Sequence, residues 1–296
     1  MKLNLRWDDL ELFLAVHEQG SLSGAARQLK LGQPTLSRRI AELEVAVGEA
    51  LFDRQSRGAT LTAAGQKLLP AAQRMAEWAN EAKLSVAKQT HLPEGKVRIA
   101  APPGIASQLV APMAAKIRQQ YPQIQIEVLS GVDILNLGRG EADISLRSEK
   151  PSDADLICLD EVFSPMRAFS SSAYASTLKL HPSLTDLDWI CWAPPYEDMQ
   201  TNQELSTLIP NFKPAFASDD YNVQIAACRA GVGAMILPQA FKNIGLGELN
   251  QLQELNIDLG ADAIGYLYLV CHKRHRHLPK VRLVIDFISR EFNSLR

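Results

Sequence analysis

The sequence predicts a two-part chain: a small N-terminal module of three short helices and a hairpin, a long helix, and a larger α/β part. Three observations carry this. Apolar residues recur at helical spacing through the first 50 positions, with glycines at the breaks. A heptad stripe runs from 68 to 86. Beyond residue 95, strand-like runs alternate with helical ones, the signature of α/β units with mostly parallel sheets. A length of 296 residues is enough for about two domains.

In order, Leu10, Phe13, Leu14 and His17 line one face of a first helix, which Gly20 stops. Ser21 is a good N-cap for a second helix carrying Leu22, Ala25, Ala26 and Leu29. After Leu31-Gly32, a third helix turns Leu36, Ile40, Leu43 and Val47 inward, and Gly48 closes it. Residues 51–54 and 59–61 pair as short strands around Ser56-Arg57-Gly58. Leu68, Ala72, Met75, Ala79, Ala82 and Val86 then step by three and four along a long helix. Such a narrow stripe of small residues has little to bury within its own chain, so it predicts a dimer seam, with a bend at Pro70. His91-Leu92-Pro93-Glu94-Gly95 reads as a linker. Strands follow at 96–101, 124–129, 142–147, 156–163, 166–170, 189–192, 215–218, 234–237 and 265–270, with helices at 105–121, 134–139, 222–230 and 279–292. So many strands over about 200 residues predict two small sheets. The divisions are 1–62, 63–90 and 91–296.

Composition excludes several classes. Hydrophobic residues are 46% and charged residues 22%, so disorder is not expected. The net charge of −2 rules out a chain that coats nucleic acid nonspecifically. Residues 1–88 nevertheless hold 12 Lys/Arg against 10 Asp/Glu, an excess of the sign that DNA requires. Cys158, Cys191, Cys228 and Cys271 form no C-x-x-C pair, which argues against structural zinc or a redox dithiol and for buried small hydrophobes in a reducing compartment. The N-terminus lacks a signal-peptide core, and no stretch of about 18 apolar residues exists, so the expected location is cytoplasmic with no membrane partner.

The third helix is the strongest functional signal. Pro34 suits its first turn. Gln33, Thr35, Ser37, Arg38 and Arg39 face outward. Gln pairs with adenine edges, Arg with guanine edges or phosphates, and hydroxyls with either. Arg54 and Arg57 on the hairpin, and Arg27 and Lys30 on the preceding helix, extend the same basic surface.

These residues carry a resemblance. The run Leu10–Phe13–Ala15–Val16, Gly20-Ser21-Leu22, Ala25-Ala26-Arg27-Gln28-Leu29, Gln33-Pro34-Thr35-Leu36-Ser37-Arg38-Arg39-Ile40, Leu43-Glu44, Gly48, Leu51-Phe52-Asp53-Arg54 and Leu61-Thr62-Ala63-Ala64-Gly65 resembles the winged helix-turn-helix of the LysR-type transcriptional regulators. Gly32 stands where that family usually has Ser, so this cap supplies no side-chain acceptor. Residues 91–296 are similar to the family's effector-binding part. The resemblance implies an N-terminal winged helix-turn-helix plus a long linker helix. It implies a C-terminal α/β periplasmic-binding-protein-like domain of two subdomains, I (91–163 and 268–296) and II (164–267). Two strands would cross between them near 163–165 and 265–269. It implies a transcriptional regulator and no enzyme, with no cofactor but a small-molecule effector between the subdomains. Its partners would be promoter DNA with an interrupted palindrome, a second copy in a homodimer, a dimer of dimers (homotetramer), and RNA polymerase.

Strand ends and helix starts predict the effector contacts: Gly104 and Ser107 after Pro102-Pro103, Ser130, Arg147 as a carboxylate clamp, and Ser218 and Asp219 opening a helix. Pro102 stands where the family often has a hydroxyl. His272, His275 and His277 alternate with Lys273, Arg274 and Arg276 and read as a basic solvated loop rather than a metal site. Gly20-Ser21-Leu22-Ser23-Gly24 has Leu where a nucleophile elbow needs Ser, and Gly231 and Gly233 lack the third glycine of a dinucleotide loop. A solute-binding protein and an α/β enzyme are the alternatives, opposed by the winged helix and by the lack of a catalytic motif respectively.

Overall fold

The computed structural model describes residues 5–55, 58–86, 93–242, 251–261 and 263–295, with only the backbone for 54, 55, 80, 81, 83–86 and 242. The chain forms two compact units, Met1–His91 and Leu92–Arg296.

The first unit runs α1 (Trp7–Gln19), α2 (Leu22–Gln28), α3 (Gln33–Val47), β1 (Phe52–Gln55), β2 (Gly58–Leu61) and α4 (Ala63–Val86). The stop signals work as their chemistry requires. Gly20 (φ 60°) and Gly48 (φ 87°) take the left-handed conformation just past α1 and α3. The Ser21 side chain accepts from the Gly24 N–H at the start of α2. Leu10, Phe13, Val16, Leu36, Ile40, Leu43 and Leu51 are all within 1% of complete burial in one core. The antiparallel β1–β2 hairpin docks on that core, with the rings of Phe13 and Phe52 5.2 Å apart. Glu44 accepts from the Leu51 and Phe52 N–H groups at 2.8 and 3.2 Å, tying the hairpin to α3.

Helix α4 departs from the expected seam. Ala72 is fully buried in the core of its own unit, and Leu68, Leu69 and Ala76 pack against the same cluster. Two of the six stripe residues, Leu68 and Ala72, are therefore covered within the chain, because the winged module presents an apolar wall that the heptad count does not see. Gly65 permits this approach: a Cβ there would lie 2.3 Å from the Leu51 carbonyl oxygen. The helix continues through Pro70.

The second unit runs β3 (Gly95–Ala101), α5 (Pro103–Ile105), a π-helical turn (Ala106–Val110), α6 (Ala111–Gln120), β4 (Ile124–Ser130), β5 (Ile144–Arg147), β6 (Leu156–Ser171), α7 (Ser172–Ala175), β7 (Ile190–Trp192), α8 (Gln200–Leu208), β8 (Phe216–Ser218), α9 (Tyr221–Arg229), β9 (Ala234–Pro238), β10 (Leu252–Glu254), β11 (Ile264–His272) and α10 (Pro279–Leu295).

Three expectations are corrected here. Residues 156–163 and 166–170 form one strand, β6, rather than two. Pro165 sits where β6 stops pairing with β11 and starts pairing with β9, a position where the chain can spare a backbone donor. Residues 134–136 are irregular and 137–139 form a turn, so no helix lies there. The sheets are also mixed rather than mostly parallel. The main sheet has the order β10-β6-β11-β5-β3-β4, with β9 also on β6; β3 pairs in parallel with β4 and β5, while β11 and β6 run antiparallel. A two-stranded parallel sheet, β7-β8, joins β9 through a bridge from Trp189 to Ala234.

Two lobes are built on the long pair β6/β11. One core gathers Val97, Ile99, Met113, Ile117, Ile144 and Leu146 under the face of α10 that carries Val281, Val284, Ile288 and Phe292. At roughly 1.5–3 kcal/mol for each fully buried large side chain, that face is what holds the last helix in place. The other lobe buries Trp189, Leu205 and Ile236 in one cluster and Phe169, Tyr221, Ile225 and Cys228 in the next.

Candidate nucleic-acid interface and ligand cleft

On the first unit, α3 offers its N-terminal face. Gly32 precedes it in extended backbone with no side-chain cap, and its carbonyl accepts from Leu36. The first-turn N–H groups of α3 have no intrahelical acceptor and no side-chain cap, an arrangement that favours an anion. Gln33, Pro34 and Thr35 are exposed and Ser37 is half-buried. Arg38 has 74% of its side chain exposed, near Glu42 one turn on (3.6 Å). Arg27 and Lys30 are exposed beside it, with Arg27 Nε donating to the Ser23 carbonyl. Lys30 adopts φ 55°, a left-handed conformation at a non-glycine residue, in the tight turn that sets α3 against α2.

Arg39 is corrected out of this outward set. Its guanidinium turns inward to the carboxylate of Asp9, which is 9% exposed, with Nε donating at 2.8 Å. Helical spacing cannot separate the two arginines, because the acceptor comes from α1, 30 residues away. Arg54 lies on β1, but its side chain is outside the described residues, as is Arg57.

On α4, Met75 and Trp78 are 37% and 39% exposed, Ala79 is half-buried and Ala82 is exposed. Trp78 was not in the expected seam, yet it joins Met75 and Ala82 on the side that Leu68 and Ala72 leave uncovered. The Val86 side chain lies outside the described residues.

The second unit contains a cleft of about 320 Å³ at the C-terminal ends of β3, β5 and β7. That is the size of a small ligand site, and its placement follows the rule for open α/β sheets. Its wall is mainly apolar. Arg147, at the end of β5, lies in it with only 7% exposure. Its Nε donates to Ser145 Oγ (3.2 Å), while its Nη2 is buried with no hydrogen-bond partner among the described residues. Burial pushes the Arg147 pKa down and nearby Glu149 pushes it up; the group stays charged at neutral pH. Gly104 also lines the cleft, and a Cβ there would lie 2.9 Å from the Tyr221 ring. The helix that starts at Pro103 widens into a π-turn beside the cleft, a distortion often found at functional sites.

The other expected contacts fall elsewhere. Ser107 is exposed and donates to the Gly104 carbonyl, outside the lining. Ser130 is exposed; the residues after it, Gly131 to Ile134, line the cleft instead. Ser218 accepts from the Asp220 N–H, and Asp219 is exposed. The cap of α9 is Asp220, one residue beyond the expected pair.

The histidine loop is also corrected. His272 and His275 are 4% and 3% exposed with rings 5.7 Å apart, and His275 Nδ1 is 4.0 Å from Asp143. The alternating basic residues are the solvated part of the loop. Among the described residues no cluster suits a metal. All four cysteines are free; Cys191, Cys228 and Cys271 are buried and Cys158 is half-buried. Burial pushes the Cys191 and Cys228 thiols up to about 12 and Cys271 up to about 11, so they are neutral and unreactive at neutral pH. No helix among the described residues is long and apolar enough to cross a membrane.

A helix-turn-helix unit with an open recognition face, followed by a two-lobed α/β unit with a ligand-sized cleft, defines a class of two-part binding proteins. Residues 7–66 match the family model of bacterial regulatory helix-turn-helix proteins of the lysR family, and residues 90–293 match the LysR substrate binding domain. The chain belongs to the LysR family. An HTH-type transcriptional regulator of Xanthomonas campestris pv. campestris is 33% identical over 177 residues, 59% of this chain and 52% of that protein. CrgA of Neisseria meningitidis, another HTH-type transcriptional regulator, is 30% identical over 167 residues, 56% of each. In these alignments the chain spans about half the length of the relatives it matches. The solved structure of CrgA shares the fold, with a TM-score of 0.59 at 24% identity over 98% of this chain and 99% of that one. The matching families and relatives are transcriptional regulators, not enzymes.

Proposed function

We propose that this protein is a sequence-specific transcriptional regulator that inserts the N-terminal end of α3 into the major groove of promoter DNA and responds to a small organic anion held in the α/β cleft. The exposed face of Gln33, Thr35 and Arg38, over the uncapped start of α3, carries the DNA half of the reading. The buried, partly unpaired Arg147 guanidinium carries the ligand half, since such a group gains most from a carboxylate. Gly104 belongs to the same wall. Two copies joined along Met75, Trp78, Ala79 and Ala82 of α4 would read an interrupted palindrome. Further pairing into a dimer of dimers, contact with RNA polymerase and a cytoplasmic location belong to the same reading.

The test is fluorescence anisotropy with DNA from the region upstream of the protein's own gene. Arg38→Ala should weaken binding by about 1–3 kcal/mol at matched salt with the melting temperature unchanged. Unaltered affinity would remove α3 from the groove.

A further inference from the structure

We infer that Glu44 is a positioning residue for DNA binding: its carboxylate fixes the β1–β2 hairpin against α3, so that Arg54 on the hairpin and the base-reading end of α3 meet the same duplex. This rests on the reading of α3 as the recognition helix and adds what sets the hairpin beside it.

A carboxylate on a helix that approaches phosphates works against binding, so an acid at this place needs a use inside the protein. Glu44 is half-buried near the C-terminal end of α3 and has such a use. Its carbonyl accepts from the Gly48 N–H (2.8 Å), where the left-handed Gly48 turns the chain out of the helix. Its Oε1 accepts from two successive donors on the returning chain, the Leu51 and Phe52 N–H groups, at 2.8 and 3.2 Å. Charge-assisted bonds of this kind are about twice as strong as neutral ones. One residue thus ends α3 and holds the start of β1 against it.

The other ties of the hairpin lead to other elements. The Thr62 N–H, at the start of α4, donates to the Leu51 carbonyl (3.0 Å), and the Thr62 hydroxyl donates to the Ala50 carbonyl (2.6 Å). The Ala59 N–H donates to the Gly20 carbonyl (2.8 Å), and the Phe52 ring packs on Phe13 of α1. The Glu44 bonds join the hairpin to the helix that reads DNA. Two four-residue strands have little stability of their own, so such ties decide where the hairpin stands. From Gln33 to Glu44 is about 16 Å along the helix at about 1.5 Å per residue, somewhat more than the major-groove width of about 12 Å. With the first turn of α3 inside the groove, a hairpin rooted at Glu44 stands at the groove's edge, where phosphates run. Arg54, two residues beyond Phe52 on β1 and in register with Ala59, is the cation it brings there.

The experiment is a double-mutant cycle on the full chain. It is read by fluorescence anisotropy with DNA from upstream of the protein's own gene, across a range of salt and below the melting midpoint of every variant. Glu44→Ala should weaken binding about tenfold and flatten the slope of log affinity against log salt by about 0.9 per bound copy, the loss of one phosphate contact. Arg54→Ala should do the same, and the double variant should fall no further than either single one. Glu44→Gln keeps the accepting oxygen and should bind within about threefold of the unsubstituted protein. If Glu44→Ala fails to fold in circular dichroism, Glu44→Asp, which keeps the charge but draws the acceptor back by one methylene, takes its place in the cycle. An acid acting only through its charge behaves in the opposite way, because its removal strengthens binding. Unchanged or tighter binding by Glu44→Ala, losses that add to those of Arg54→Ala, or a Glu44→Gln protein as weak as Glu44→Ala would overturn the positioning role and, with Arg38→Ala still weakening binding, leave α3 in the groove. No binding by the unsubstituted chain, or binding indifferent to Arg38→Ala, would overturn both.

Discussion

Arg38 and Arg39 are neighbours in sequence with opposite tasks. One is 74% exposed on α3; the other has 25% of its side chain exposed and is engaged with Asp9 on α1. A charge-assisted pair that is mostly out of water is worth more than a surface pair, and removing one partner leaves the other carboxylate short of its donor. Arg39→Ala should therefore lower the stability of the N-terminal unit by about 1–3 kcal/mol, read as a lower thermal midpoint. Arg38→Ala should leave the midpoint in place and act on DNA affinity instead. If the two substitutions had the same effect on melting, the division of labour would be wrong. The same contrast shows why the site was only partly legible. Residue type and spacing place a cation on α3, but which cation stays exposed depends on a partner 30 residues away. Arg147 was legible because a strand end in an α/β sheet points into the cleft. Ser107, Ser130, Ser218 and Asp219 occupy equally plausible strand and helix ends, yet backbone groups and solvent take them.

Among the elements, α4 is where periodicity misled most. A heptad stripe records which face is apolar but not what covers it. Leu68 and Ala72 are covered by the winged core, whereas Met75, Trp78 and Ala82 are exposed. The two halves should respond differently to a charge. Ala72→Glu buries an uncompensated carboxylate in a core position and should cost about 3–5 kcal/mol, unfolding the N-terminal unit in circular dichroism. Trp78→Glu should leave the helical signal intact and shift sedimentation toward the monomer. A Trp78→Glu protein that still sediments as a dimer would show that the exposed stripe is not the subunit contact. The N-terminal helices themselves were read closely because each has a local stop: Gly20, Ser21 and Gly48 act through their own backbone. In sequence Pro165 reads as a break that divides β6 into two strands. In space it sits where the strand changes partners, and only long-range pairing reveals that.

For the whole molecule, charge must be weighed by segment, since a net charge of −2 would oppose DNA if it were spread evenly. The N-terminal 88 residues carry a net excess of two positive charges, and Arg27, Lys30 and Arg38 are exposed around the start of α3. With Arg39 committed to Asp9, about three to five cations per copy remain to meet phosphates. A dimer would then neutralise about six to ten, giving a slope of log affinity against log salt of about −5 to −9. Each phosphate contact contributes about 0.9 to that slope, so the mutant slope counts subunits. Arg38→Ala should flatten the slope by about 2 if two copies sit on the DNA and by about 1 if one does. If Arg38 instead reads a base, the affinity falls but the slope holds. One titration series from low to physiological salt thus separates a phosphate contact from base readout and, for a phosphate contact, one bound copy from two. A flat, salt-independent curve in the unsubstituted protein would contradict the electrostatic picture altogether.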